Sequence, residues 1–191
     1  MKSFLLFVSV LLLSNSIFSQ TSVRATTIEI LPKSSLSISG DTNINKFLCS
    51  FNTELIAENN HITYKAGAAN IQFENAILKL DNSGFDCGSK AINKDFKDLI
   101  KANKYPEITL ELTEITLDHN EKAAAKVVIS IAGKSNNYIV PVDITSEEIT
   151  QYKGSLDLNI SDFDLHAPKK LFGLIIIKEN ININFILKVK K

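Results

Sequence analysis

The chain predicts an antiparallel all-β domain, a sandwich or a barrel, and three observations carry that prediction. Apolar and polar residues alternate through most of its length, the spacing of strands with one face turned inward. Clusters of Asn, Asp, Ser and Gly interrupt the alternation at hairpin-like intervals, as turns between short strands do. One stretch, Ser83 to Thr113, changes period: Phe96, Leu99 and Ile100 fall at i, i+3 and i+4, on one face of a short helix.

Taken in order, residues 1–19 stand outside the fold. Lys2 gives a positive start, Phe4 to Leu13 an apolar run, and Ile17-Phe18-Ser19 a cleavage site before Gln20, which reads as a secretory signal peptide. No Cys follows it, so a lipid anchor is not expected. After a polar segment, Leu36 and Ile38 mark a first strand ending at Gly40-Asp41, and Phe47 to Leu55 a second. Asn59-Asn60 signals a turn before Ile62 and Tyr64. Ile71 and Phe73 precede Ile77, Leu78 and Leu80, and the slip in parity between them places a turn or bulge at Glu74-Asn75. Asn82-Ser83-Gly84 turns the chain again.

Asn93 is the expected N-cap of the helix, with Asp95 in its first turn, and Tyr105-Pro106 is expected to stop it. Ile108, Leu110 and Leu112 then give way to Ile115 and Leu117, a parity change that predicts a bulge. Asp118-His119-Asn120 is a turn. Val127, Ile129 and Ile131 form a strand, with the next turn expected at Lys134 to Asn137. Tyr138, Val140, Val142 and Ile144 follow, and Pro141 makes theirs an edge strand or a bulged one. Tyr152, Leu156, Leu158 and Ile160 precede the cleanest strand, Ile181 to Val189.

Removing the leader leaves 172 of the 191 residues and 20 basic against 21 acidic side chains. One domain is expected over residues 20–191. The neutral balance speaks against nucleic acid as a partner, since that calls for a basic stripe. The longest later apolar run, Leu171 to Ile177 counting Gly173, is far shorter than the roughly 20 residues a bilayer requires. The expected location is periplasmic or secreted. Cys49 and Cys87, in an exported chain, are either a disulfide closing a loop of about 39 residues or two buried thiols.

Chemistry finds little purchase. His61, His119 and His166 lie in separate loops without metal-ligand spacing. No nucleophile elbow or phosphate loop is present, and Asp162-Phe163-Asp164 lacks the oxygen ligands that calcium needs. Neither catalysis, nor a metal, nor a cofactor is expected. The inward positions are aliphatic and aromatic along every strand. Such an interior is filled by its own side chains or holds one apolar ligand.

Four stretches in order, LSISGDTNINKFLCSF, FDCGSKAINKDFKDLIKANKYPEITLEL, VVISIAGKSNNYIVPVDI and GSLDLNISDFDLHAPKKLFGLIIIKENININFIL, resemble the YceI-like family of exported bacterial proteins over about residues 34 to 189. The resemblance implies an eight-stranded antiparallel, lipocalin-like barrel with one short helix near its mouth. It implies a polyisoprenoid or related lipid bound inside. The paired Cys49 and Cys87 resemble a subgroup of that family.

The function expected is therefore non-catalytic: binding, storage or transport of an apolar amphiphile outside the cytoplasm. Phe51, Phe73, Leu110, Ile129, Val140, Leu158, Ile183 and Phe185 are the expected barrel wall, each equally suited to plain core, and Phe172 and Leu174 an expected flap. Transient contact with a membrane surface and pairing with a second copy through the Pro141 strand are further expectations. The alternative is a protein-interaction or stress-related structural module with a packed, ligand-free core.

Overall fold

The structure, a computed structural model, describes residues 23–56, 60–118, 122–170 and 174–190. The expected leader at 1–19, His119 and Phe172 lie outside them. The strands are β1 Val23–Ile30, β2 Ser35–Thr42, β3 Lys46–Phe51, β4 Asn60–Ala66, β5 Asn70–Glu74, β6 Ile77–Asp81, β7 Phe85–Asp86, β8 Glu107–Leu117, β9 Lys122–Ile131, β10 Lys134–Ser146, β11 Thr150–Asn159, β12 Lys169–Lys170 and β13 Ile175–Lys190. One helix, α1, spans Lys90–Leu99.

All pairings are antiparallel, and eight strands close a ring in the order β1, β4, β5, β8, β9, β10, β11, β13, with β13 returning to β1 at Ile30↔Val189. The remaining strands branch from the two longest walls. On one edge, β13 pairs with β1 at Val189 and Lys190 but with β2 from Ile177 to Ile186. Likewise β8 pairs with β5 near Ile115 and with β6 from Glu107 to Glu111. At about 3.3 Å per residue, 16 residues of β13 are long enough to serve two partners in succession. The barrel therefore narrows to eight strands at one end and splays at the other, where α1 lies.

The predicted breaks at Asn75 and in β8 are present. Asn75 takes a left-handed φ of 62° between β5 and β6, a conformation Asn tolerates. The ladder between β8 and β9 slips one residue between Leu112 and Glu114.

Other expectations are corrected. The polar N-terminal segment is a strand, β1, whose Val23 to Ile28 pair with β4. The second predicted strand ends at Phe51, because Asn52 Oδ1 accepts from the Glu54 amide and starts a 3-10 turn at Thr53–Leu55. The turn expected at Lys134 to Asn137 is instead Ala132-Gly133, with φ of 51° and 81°, the double left-handed geometry of a tight hairpin. Lys134 already pairs with Ile131. Nor is β10 an edge strand: β9 and β11 flank it, although β11 joins only from Val142 onward. Pro141, which has no amide hydrogen to donate, sits where that ladder stops.

The helix also begins one turn early. Ser89 Oγ accepts from the Ile92 amide and caps it, while Asn93 Oδ1 accepts from the Cys87 amide at 2.6 Å. Lys101, with φ 55°, ends the helix before Tyr105-Pro106 is reached, and the Ala102 amide donates back to the Lys97 carbonyl, as in a Schellman ending.

Candidate functional site

Strand register decides which side chains face the interior. Ile71 pairs with Ile115, Ile115 with Ala125, Ala125 with Val140, Val142 with Gly154, and Gly154 with Phe185. These positions trace one inward layer around the eight-stranded end. The same parity adds Tyr64 opposite Phe73, their rings 6.2 Å apart, and Tyr152 opposite Ile144.

The two halves of the interior are packed differently. At the end carrying α1, Leu36, Ile38, Cys49, Phe51, Leu80, Phe85, Leu158, Phe163 and their neighbours form a large cluster of buried side chains, with Phe163 wholly buried. The apolar face of α1 is seated there, Phe96 on Phe85 at 5.0 Å. At the eight-stranded end the buried set shrinks to Ile115, Ala123, Ala125, Val140 and Val142. Around it Phe73, Leu112, Ile144 and Tyr152 face inward yet stay half-buried, as do Ile62, Tyr64, Ile71 and Leu187. Two alanines on β9 face these larger groups and leave room that a Leu or Phe would take.

Val127, Tyr138, Leu156 and Phe185 touch both clusters and form the layer between them. Tyr138 is the polar member. Its hydroxyl donates to Asp162 Oδ2 at 3.0 Å, and burial followed by that hydrogen bond holds its pKa well above the ordinary tyrosine value. Burial likewise pushes the Tyr152 hydroxyl up, so both phenols stay neutral under physiological conditions.

The predicted wall residues divide between these regions. Phe73 and Val140 belong to the eight-stranded end, and Phe185 to the dividing layer. Phe51, Ile129 and Leu158 are buried in the packed cluster, with Leu110 and Ile183 half-buried against it. Leu174 does not join the interior: it is 71% exposed on a turn. Tyr64, Leu112, Ala125 and Tyr152 belong to the lining although they were not picked out as wall residues; strand parity carried the signal. Ile28 and Ile30 went unrecognised because their strand did.

Cys49 and Cys87 form the disulfide, joining β3 to the segment that enters α1, and both are buried. A disulfide fits an oxidising compartment. Among the described residues no helix is long and apolar enough to cross a membrane.

Among the described residues no three His, Cys, Asp or Glu side chains gather as metal ligands. His61 Nδ1 sits 2.8 Å from Thr27 Oγ1, and His166 Nδ1 3.2 Å from Glu179. Asp164 is held in an ion pair with Lys134 at 2.7 Å. A cleft of about 640 Å³ between β2, β11 and β13 is walled by Ser39, Asp41, Asp157, Asn159, Asp162 and Asn182. These polar groups differ in character from the apolar inward layer.

The model of the YceI-like domain family matches residues 34–189. Among solved structures, the chain is similar to BcnA of Burkholderia cenocepacia, with 21% identity and a TM-score of 0.65 over 83% of this chain and 97% of that one. It is similar to a polyisoprenoid binding domain from Saccharophagus degradans implicated in plant cell wall breakdown, with 13% identity and a TM-score of 0.63 over 85% and 97%. The YCEI protein of Campylobacter jejuni follows with 18% identity and a TM-score of 0.54 over 63% and 74%. No curated protein matches the chain.

Proposed function

The chain belongs to the YceI-like domain family, and on that premise we propose that it binds, stores or carries an apolar amphiphile of isoprenoid type inside the eight-stranded end of the barrel, outside the cytoplasm and without catalysis. The observation that supports this reading is the contrast between the two halves of the interior. Where α1 sits, a large cluster of buried side chains fills the interior and half-buried ones such as Leu110 and Ile183 pack against it. Where eight strands close the ring, aromatic and aliphatic groups turned inward remain accessible around Ala123 and Ala125.

Transfer of apolar surface out of water is worth about 25 cal/mol per Å², so a hydrocarbon tail placed against Tyr64, Phe73, Leu112 and Tyr152 gains affinity without any charged contact. The polar end of such a ligand would stay near the rim, since the dividing layer and packed cluster close the other direction. The disulfide supports placement in the periplasm or outside the cell.

The test is native mass spectrometry of the purified protein together with an organic extract of the same sample. The expected result is a bound lipid, or stoichiometric uptake of geranylgeraniol by lipid-stripped protein. Protein that carries no lipid and takes up no geranylgeraniol overturns the proposal. That outcome favours the second reading, an interaction module with a filled core.

A further inference from the structure

The sole arginine of the chain, Arg24, lies on β1 at the mouth of the eight-stranded end. It pairs directly with Tyr64 on β4, and residues directly opposite in an antiparallel pair put their side chains on one face. Tyr64 faces the interior beside Phe73, so Arg24 stands on the inward face as well. Alternation along β1 agrees: Thr26, Ile28 and Ile30 share its parity and are half-buried, while Arg24 itself is exposed. Its height follows from β13. That strand ends with Val189 and Lys190 against Ile30 and Glu29. From there β1 continues toward the mouth, beside the turn from Ala66 to Asn70 that joins β4 to β5.

An arginine is out of keeping with this face. Above the dividing layer, every other inward position that the register assigns among the described residues carries an uncharged side chain or none. The acids of this end are paired on the outer face or stand apart. Glu74 meets Lys65 at 2.9 Å and Glu114 meets Lys126 at 2.7 Å, and Glu29 lies opposite Lys190. Glu147 and Glu148, in the turn between β10 and β11, are exposed and form no ion pair with Arg24. Among the described residues its guanidinium has neither a hydrogen bond nor an ion pair.

A guanidinium presents five donors in a planar fork and no acceptor, a shape that matches phosphate and carboxylate oxygens. Tyr64 stands beside it with a hydroxyl that also lacks a partner among the described residues, whereas Tyr138, deeper in, gives its own to Asp162.

We infer that Arg24, with Tyr64 opposite it, holds an oxyanion head group at the mouth. The ligand class is then an isoprenoid-type lipid ending in a phosphate or a carboxylate instead of a neutral alcohol. This rests on the cargo reading above and adds the head group to it. The apolar tail supplies affinity whatever the head. Arg24 supplies the discrimination, because hydrogen bonds between ionised partners are roughly twice as strong as neutral ones.

The test uses lipid-stripped protein purified from cells expressing the full chain, its N-terminus read by mass spectrometry. It is offered geranylgeraniol together with an equal amount of either geranylgeranyl phosphate or geranylgeranoic acid, and the lipids retained through gel filtration are extracted and quantified. The parent should favour an anionic lipid over the alcohol by roughly tenfold, and less so as salt is raised. The competitor that shows the preference identifies the head as phosphate or carboxylate. Arg24→Gln should bring that ratio close to one at the parent's melting temperature, and Arg24→Lys should keep part of it. Lys65→Gln, which removes the same charge from the outer face of β4, should leave the preference intact. Equal uptake of all three lipids by the parent, or a preference that Arg24→Gln retains, overturns the head-group assignment and leaves the cargo reading standing. So does a preference that Lys65→Gln weakens as much as Arg24→Gln. Uptake of none of the three removes the cargo reading and the assignment with it.

Discussion

The ring of Phe185 lies directly on the backbone of Gly154 where the two are paired across β11 and β13. A Cβ at Gly154 would stand 2.4 Å from Phe185 Cζ and 2.9 Å from the Pro141 carbonyl oxygen. Glycine here is required by close approach, since an aromatic ring fills the place of its missing side chain. Phe185 thereby sits level with Val127, Tyr138 and Leu156 and divides the packed half of the interior from the accessible one.

Gly154→Ala should therefore destabilise the fold by about 1–3 kcal/mol, the usual range for overpacking. For a domain of this size that lowers the melting temperature by roughly 2–4 °C per kcal/mol. Gly154→Ala combined with Phe185→Leu should recover part of the loss, because the smaller side chain vacates the contested volume. Thermal melts of the two single variants and the double variant check this, and strict additivity would contradict the contact.

Cys49 and Cys87 are 38 residues apart in sequence and tie β3 to the entry of α1. In the chain-entropy account a loop of that length contributes about 4 kcal/mol. The helix holds no buried residue of its own between Lys90 and Leu99, so its attachment depends heavily on this bond and on Ile100 just beyond. Cys49→Ser with Cys87→Ser, or a reductant strong enough to open the bond, should lower the urea midpoint. Hydrogen exchange should quicken first over residues 85–102 and only later in β9 and β10.

The loop before α1 should also respond to pH. Asp86 accepts a hydrogen bond from Asn93 Nδ2 and another from the Gly88 amide, and the first of these is the larger reason its carboxyl lies below the ordinary value. Ser83 does the same for Asp81, and Lys134 for Asp164. A carboxylate with a depressed folded pKa contributes stability that is complete above its unfolded value, about 3.9 for Asp, and is lost as the pH falls through the folded one. Urea midpoints should hold steady near neutrality and decline below about pH 4. Asp86→Asn should flatten that decline, a change read by repeating the titration on the variant.

Period and turn chemistry made the strand walls legible before any coordinates: the slip in β8 and the break at Asn75 both follow from parity. What escaped depended on geometry that a period does not encode. Val23 to Ile30 reads as polar because Arg24, Thr26 and Thr27 occupy an edge whose partner, β4, is distant in sequence. Ser135, Asn136 and Asn137 look like a turn but continue a strand, since Ala132 and Gly133 already reverse the chain and Asn136 finds the Asp162 carbonyl at 2.6 Å. The division of Phe51 and Leu158 from Phe73 and Val140 was equally hidden. All four share inward parity, and only the branching of β13 and β8 determines which half of the interior each one enters.

Leu112 offers the clearest discrimination between a hollow and a filled interior. It faces inward opposite Val127, half-buried, just before the slip in β8. If the space beyond it is open to ligand, Leu112→Trp places an indole there with little change in melting temperature and lowers geranylgeraniol uptake severalfold. If that space is filled, the same substitution overpacks the core and costs about 1–3 kcal/mol, with no effect on a lipid that was never bound. The chain contains no tryptophan, so the new residue also reports on itself. A blue-shifted emission that changes on adding geranylgeraniol marks an apolar space the ligand still reaches, whereas emission indifferent to lipid in a destabilised variant argues for a solid core.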